Sequence, residues 1–77
     1  MGEEVAKLTR RQQEVAAYIS EGLANEQIAQ RLVLTPGTVA NHVEAILRRL
    51  SLRSRTEVAV WAVERGLYRS DSARDGQ

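Results

Sequence analysis

Cysteine is missing from this 77-residue chain, and its absence removes three chemistries at once: a disulfide framework, a thiolate nucleophile and a cysteine-ligated zinc. Histidine occurs once, at His42, so a metal site built from several imidazoles is not available. Without a cysteine or second histidine to work with, His42 reads as a packing and hydrogen-bonding residue rather than a catalyst; neither an enzyme nor a cofactor is expected. No run approaches the ~18 consecutive apolar residues of a membrane span. No charged-then-apolar leader opens the sequence, and the expected location is cytoplasmic. Proline is nearly absent, with Pro36 alone, and strand-like alternation is not found, so helices are the natural reading. A chain this short has room for one domain and buries a modest fraction of its surface.

Net charge is only +1, but it is unevenly spread. Residues 1–30 set Lys7, Arg10 and Arg11 against five glutamates, a net of −2. Residues 31–55 set Arg31, Arg48, Arg49, Arg53 and Arg55 against Glu44 alone, a net of +4, and residues 56–77 return to −1. A basic middle between acidic ends is the electrostatic footprint expected where phosphates are met, although solvated helix faces carry similar blocks.

Four helices can be delimited by their ends. The first starts at Thr9, with Gln12 placed to complete a capping box, carries Val15, Ala16 and Ile19 on one stripe, and stops at Gly22. The second is expected to start at Asn25 as N-cap and to run through Ile28, Ala29 and Leu32. Thr35 caps the third and Pro36 takes its first position, where a missing N–H costs nothing. Val39, Val43, Ile46, Leu47 and Leu50 follow on one stripe, and at ~1.5 Å per residue the helix is a rod of roughly 22 Å. Ser54 with Glu57 predicts a second capping box at the start of the fourth, which ends at Gly66. The expected division is a flexible start at 1–7, a folded domain at 8–67 and a flexible tail at 68–77.

Only Val33-Leu34-Thr35 separates the second helix from the longer third, the arrangement of a helix-turn-helix. In that arrangement the second helix of the pair enters the DNA major groove while the first braces it. The residues add a resemblance. Leu8-Thr9-Arg10-Arg11-Gln12-Gln13-Glu14-Val15, Gly22-Leu23-Ala24-Asn25 and Ile28-Ala29-Gln30-Arg31-Leu32 resemble the LuxR-type (NarL/FixJ) DNA-binding domain of bacterial regulators. So do Thr38-Val39-Ala40-Asn41-His42-Val43, Ile46-Leu47-Arg48-Arg49-Leu50 and Ser54-Arg55-Thr56-Glu57, and the match runs without gaps from about Leu8 to Leu67.

The resemblance implies an all-α, four-helix domain, such as the output domain of a response regulator, whose third helix (residues 36–50) reads double-stranded DNA and whose fourth mediates homodimerisation. Transferred by position, the base-facing places fall on Ala40, Asn41 and Glu44, and phosphate contacts on Thr35, Thr38, Arg48 and Arg49. RNA polymerase is a further expected partner; a membrane and a small-molecule ligand are not. Many relatives carry Lys or Arg at the place of Ala40, and several a basic or neutral residue at that of Glu44. Many also have glycine at the place of Val33. A β-branched residue at positive φ is strained, so this turn is expected to take a somewhat different geometry.

Asn41 can pair with adenine at N6 and N7, and Glu44 can accept from the cytosine amino group. The alternative reading of Glu44 is a solvated helix charge, with Arg48 at i+4 as an available partner. Arg55 reads as structural, holding the start of the fourth helix against the rest. In that helix the apolar run from Val58 to Val63 covers an arc of roughly 260°, more than the ~100° stripe one helix buries on a small core. With Ala59 and Ala62 facing the core, Thr56, Val60 and Val63 are left as an exposed flank, the expected dimer interface. Two competing readings are a module resembling region four of a sigma factor and a protein-interaction adaptor that uses this flank.

Overall fold

The computed structural model describes residues 5–67. They form four helices, α1 (Arg10–Ser20), α2 (Asn25–Leu32), α3 (Pro36–Leu50) and α4 (Arg55–Glu64), with no strand among the described residues. The all-α expectation holds. The tail at 68–77 and residues 1–4 of the expected flexible start lie outside the described residues. Val5, from the same segment, packs against the core, and the Leu8 N–H closes a turn onto the Val5 carbonyl at 3.0 Å.

Local side-chain chemistry explains the helix starts. At α1 the capping box is complete: the Gln12 N–H donates to Thr9 Oγ1 at 3.1 Å, and the Thr9 N–H to Gln12 Oε1 at 3.0 Å. Gln13 Nε2 then donates to the carbonyls of Val5 and Leu8 at 3.2 and 3.1 Å, fixing the preceding turn to the helix. At α3 the Thr38 N–H donates to Thr35 Oγ1 at 3.1 Å, and Pro36 occupies the first helical position. Such caps are worth ~1 kcal/mol each.

Two starts differ from expectation. Asn25 is not the N-cap of α2 but its first helical residue; Ala24 holds the cap position, and its N–H donates to Gln27 Oε1 at 2.8 Å. The Asn25 side chain is taken by a tertiary partner instead. At α4 only half of the predicted box forms. The Glu57 N–H donates to Ser54 Oγ at 3.2 Å, but Glu57 Oε1 accepts from the Arg53 N–H at 2.7 Å, one residue earlier than the box requires.

All four helices end in the same way. A residue at positive φ turns the chain, and the next N–H reaches back five residues to a carbonyl of the last turn, satisfying an acceptor that the helix leaves open. The turning residues are Gly22, Val33, Ser51 and Gly66. The bonds are Leu23 to Tyr18 (3.3 Å), Leu34 to Ala29 (2.8 Å), Leu52 to Leu47 (2.9 Å) and Leu67 to Ala62 (2.8 Å). A leucine follows every turn, and all four leucines pack against the core. The expected departure at Val33 is therefore corrected. Its φ of 57° and ψ of 49° are the ordinary left-handed values, held by the Leu34 bond and the burial of Leu34.

α1 lies against α3 and α4, and α2 packs on α3. Val15, Ile28, Val39, Ile46 and Val58 are fully buried where these faces meet, each contributing ~1.5–3 kcal/mol relative to exposure. In α4 the core face is Val58, Trp61 and Ala62; Ala59, expected there, is only half-buried at its edge.

Candidate nucleic-acid interface

The outer surface of α3 follows from its core stripe. Val39, Val43, Ile46 and Leu50 turn inward, and at ~100° per residue Gly37, Asn41, Glu44 and Arg48 fall within about 60° of one another on the opposite side. All four are exposed. Ala40 is half-buried at the edge of this stripe. Two of the three expected base-facing residues, Asn41 and Glu44, therefore share its centre, ~4.5 Å apart along the axis.

Glu44 and Arg48 make no ion pair among the described residues, and Glu44 stands exposed, as both the base-contact and the solvated-charge readings require. His42 is half-buried on the flank of α3, and its side chain makes no hydrogen bond among the described residues. Thr35 and Thr38 meet at the N-terminal end. Thr35 Oγ1 accepts the Thr38 N–H and donates to Thr38 Oγ1 at 3.0 Å, which leaves the Thr38 hydroxyl hydrogen to point elsewhere.

Arg48 and Arg49, expected to act alike, part company. Arg48 extends the outer stripe; Arg49, about 100° around the helix, donates from Nη1 to the Lys7 carbonyl at 3.0 Å. Arg53, exposed in the loop before α4, is a further cation near this end that the sequence reading counted only as charge.

Behind α3 the frame is tied by arginines. Arg31 of α2 lies over the Tyr18 ring of α1, 5.7 Å from its centroid, a cation–π contact across two helices. Arg55 of α4 donates from Nη1 to Asn25 Oδ1 and from Nη2 to the Leu23 carbonyl, both at 2.7 Å. Partial burial holds its guanidinium below the ordinary arginine pKa by desolvation. The structural role read for Arg55 is realised, and it secures the first residue of α2 to the start of α4.

On the far side of α4, Thr56, Val60 and Val63 are exposed on one stripe, the two valines at 51% and 55%. Ala59, Val60, Val63 and Glu64 line a shallow apolar groove there. Val60 and Val63 are two of the three large hydrophobic residues exposed among the described residues.

Helices packed in this order, with a tight turn between α2 and α3 and an outward polar stripe on α3, define an all-α helix-turn-helix domain. Residues 6–62 match the pattern of bacterial regulatory proteins of the luxR family, and the chain belongs to that family. It is 44% identical over 64 residues to the transcriptional regulatory protein LnrK of Bacillus subtilis, covering 83% of this chain and 29% of LnrK. It is 38% identical over 65 residues to the nitrate/nitrite response regulator protein NarL of Escherichia coli (84% and 30%). With the DNA-binding transcriptional activator DevR/DosR of Mycobacterium tuberculosis it shares 42% over 69 residues (90% and 31%). The chain thus spans under a third of the length of these curated relatives.

Proposed function

We propose that this domain binds double-stranded DNA sequence-specifically in transcription regulation, with α3 in the major groove. The observation that carries the reading is the exposed stripe of Gly37, Asn41, Glu44 and Arg48, set opposite the core stripe of the same helix. A groove about 12 Å wide admits one helix, and the helix must present polar groups outward while its other face is anchored. In this reading Asn41 contacts adenine and Glu44 a cytosine amino group. Ala40 supplies only an apolar edge. Thr35, Thr38, Arg48 and Arg49 meet phosphates.

The working unit is a cytoplasmic homodimer of residues 8–67, joined through Thr56, Val60 and Val63. The exposed valines of α4 support it, and a reading face with one cation has reason to bind in pairs. RNA polymerase is a further partner of such a regulator. Selection from a random duplex library, followed by sequencing, tests the reading. It should return two half-sites at fixed spacing, each with adenine near cytosine. Recovery of no preferred sequence would remove the sequence-specific function, and a single unpaired site would remove the dimer.

A further inference from the structure

We propose that Lys7, Arg10 and Arg49 form a second phosphate-binding surface that grips the DNA backbone beside the bases read by α3. The proposal rests on the reading that α3 enters the major groove, and adds to it Lys7 and the start of α1, which the helix-turn-helix does not include.

The starting observation is the bond from Arg49 Nη1 to the Lys7 carbonyl at 3.0 Å, which joins positions 42 residues apart. It draws a cationic side chain of α3 onto the backbone of another cationic residue. Both residues are exposed. The bond uses one of the five N–H donors of the guanidinium and leaves four for an anion. Lys7 is not on a loose arm. Its turn is closed by Leu8 N–H to Val5 and held to α1 by the two bonds of Gln13. Arg10 opens α1 three residues later, at most ~11 Å along the chain.

Charge in this corner is of one sign. Among the described residues none of Lys7, Arg10 and Arg49 has an ion pair, whereas the neighbouring Arg11 is paired with Glu14 at 3.1 Å. The first turn of α1 carries no acid, although the positive end of a helix dipole favours acids and disfavours cations. Three exposed cations without an acidic partner leave uncompensated positive charge around this corner. A polyanion reverses the sign of each of these interactions. Duplex phosphate fits because Arg49 directly follows Arg48, the one cation of the outer stripe, in the last turn of α3. Glu3 and Glu4, which precede Lys7 in sequence, lie outside the described residues, so the test uses the full chain.

The test measures affinity against salt for wild type, Lys7→Ala/Arg10→Ala and Lys7→Arg/Arg10→Lys on a duplex from the library selection, with and without about five flanking base pairs. Each lost phosphate contact should make the slope of log affinity against log salt shallower by about 0.9. The double alanine variant should lose about one to two units of slope, weaken binding about 3- to 30-fold at low salt with unchanged base preference, and no longer benefit from the flanks. The charge-preserving variant should retain the wild-type slope. A double alanine variant with wild-type slope and affinity overturns the proposal while leaving α3 as the reading helix. So does a loss that the charge-preserving variant shares. A wild-type protein that binds no selected duplex overturns the underlying reading instead.

Discussion

Arg55 reaches 2.7 Å from its guanidinium to Asn25 Oδ1, and so locks the first residue of the fourth helix to the first residue of the second. The same guanidinium holds the Leu23 carbonyl, so the one side chain ties the loop between α1 and α2 to α4. Replacing Arg55 with alanine strands two partly buried acceptors. Hydrogen bonds to a charged group contribute ~1.5–3 kcal/mol. Arg55→Ala should lower unfolding free energy by about 2–3 kcal/mol in urea titration. Arg55→Lys, lacking the planar fork, should recover less than half of that. Asn25→Ala should cost less than Arg55→Ala, because the arginine keeps Leu23.

Val33 pays a steric cost for its left-handed backbone and is 89% exposed, so its side chain recovers almost nothing by burial. The left-handed conformation costs a residue with a β-carbon ~1–2 kcal/mol, partly offset by the greater chain entropy of unfolded glycine. Val33→Gly is therefore expected to raise stability by about 0.5–1 kcal/mol, read as a higher melting temperature with an unchanged helical spectrum. A lower melting temperature would mean that the isopropyl group makes contacts outweighing the strain.

For base readout, Asn41→Ala should weaken binding to a selected site by ~1–3 kcal/mol and relax preference at one base pair, leaving the salt slope unchanged. Glu44→Gln keeps an acceptor but removes a negative charge that repels the DNA as a whole. It should tighten binding at low salt and weaken discrimination for cytosine. An unaltered sequence preference in both variants would place readout elsewhere on α3.

At the other face, Val60→Glu puts a carboxylate in the middle of the exposed apolar stripe. Because Val60 contributes little to the core, the melting temperature of dilute protein should hold, with a stability change within about 0.5 kcal/mol. Sedimentation should show weaker self-association, and affinity for a two-half-site duplex should fall while affinity for a single half-site stays the same. Equal loss on both duplexes would assign Val60 to the fold rather than to an interface.

The sequence was most informative where chemistry is local. Thr9 with Gln12, and Thr35 with Pro36, mark helix starts because the partner lies within one turn. Asn25 misled for the opposite reason: a good capping side chain was claimed by Arg55, thirty positions away, and no short-range rule sees that competitor. Glu57 was displaced by a single residue, to the Arg53 N–H, a choice set by loop geometry. Glycine announced two of the left-handed turns, the glycine of relatives at the place of Val33 pointed to a third, and Ser51 was silent; the leucine after each turn is the signal common to all four. The outer stripe of α3 was legible from periodicity once the core stripe was known. The placement of Lys7 beside Arg49 was not, since it depends on how α1 crosses α3.

The repeated helix ending has a kinetic consequence. Each of the four stop signals is written within six residues, so the helix boundaries can be set before distant parts of the chain meet. Chains whose contacts are mostly local fold within about microseconds to milliseconds, far faster than sheet proteins of similar size. The third helix would thus reach its correct length early, and the time to a folded domain would be set by how quickly four helices of fixed length pack together rather than by where each one stops.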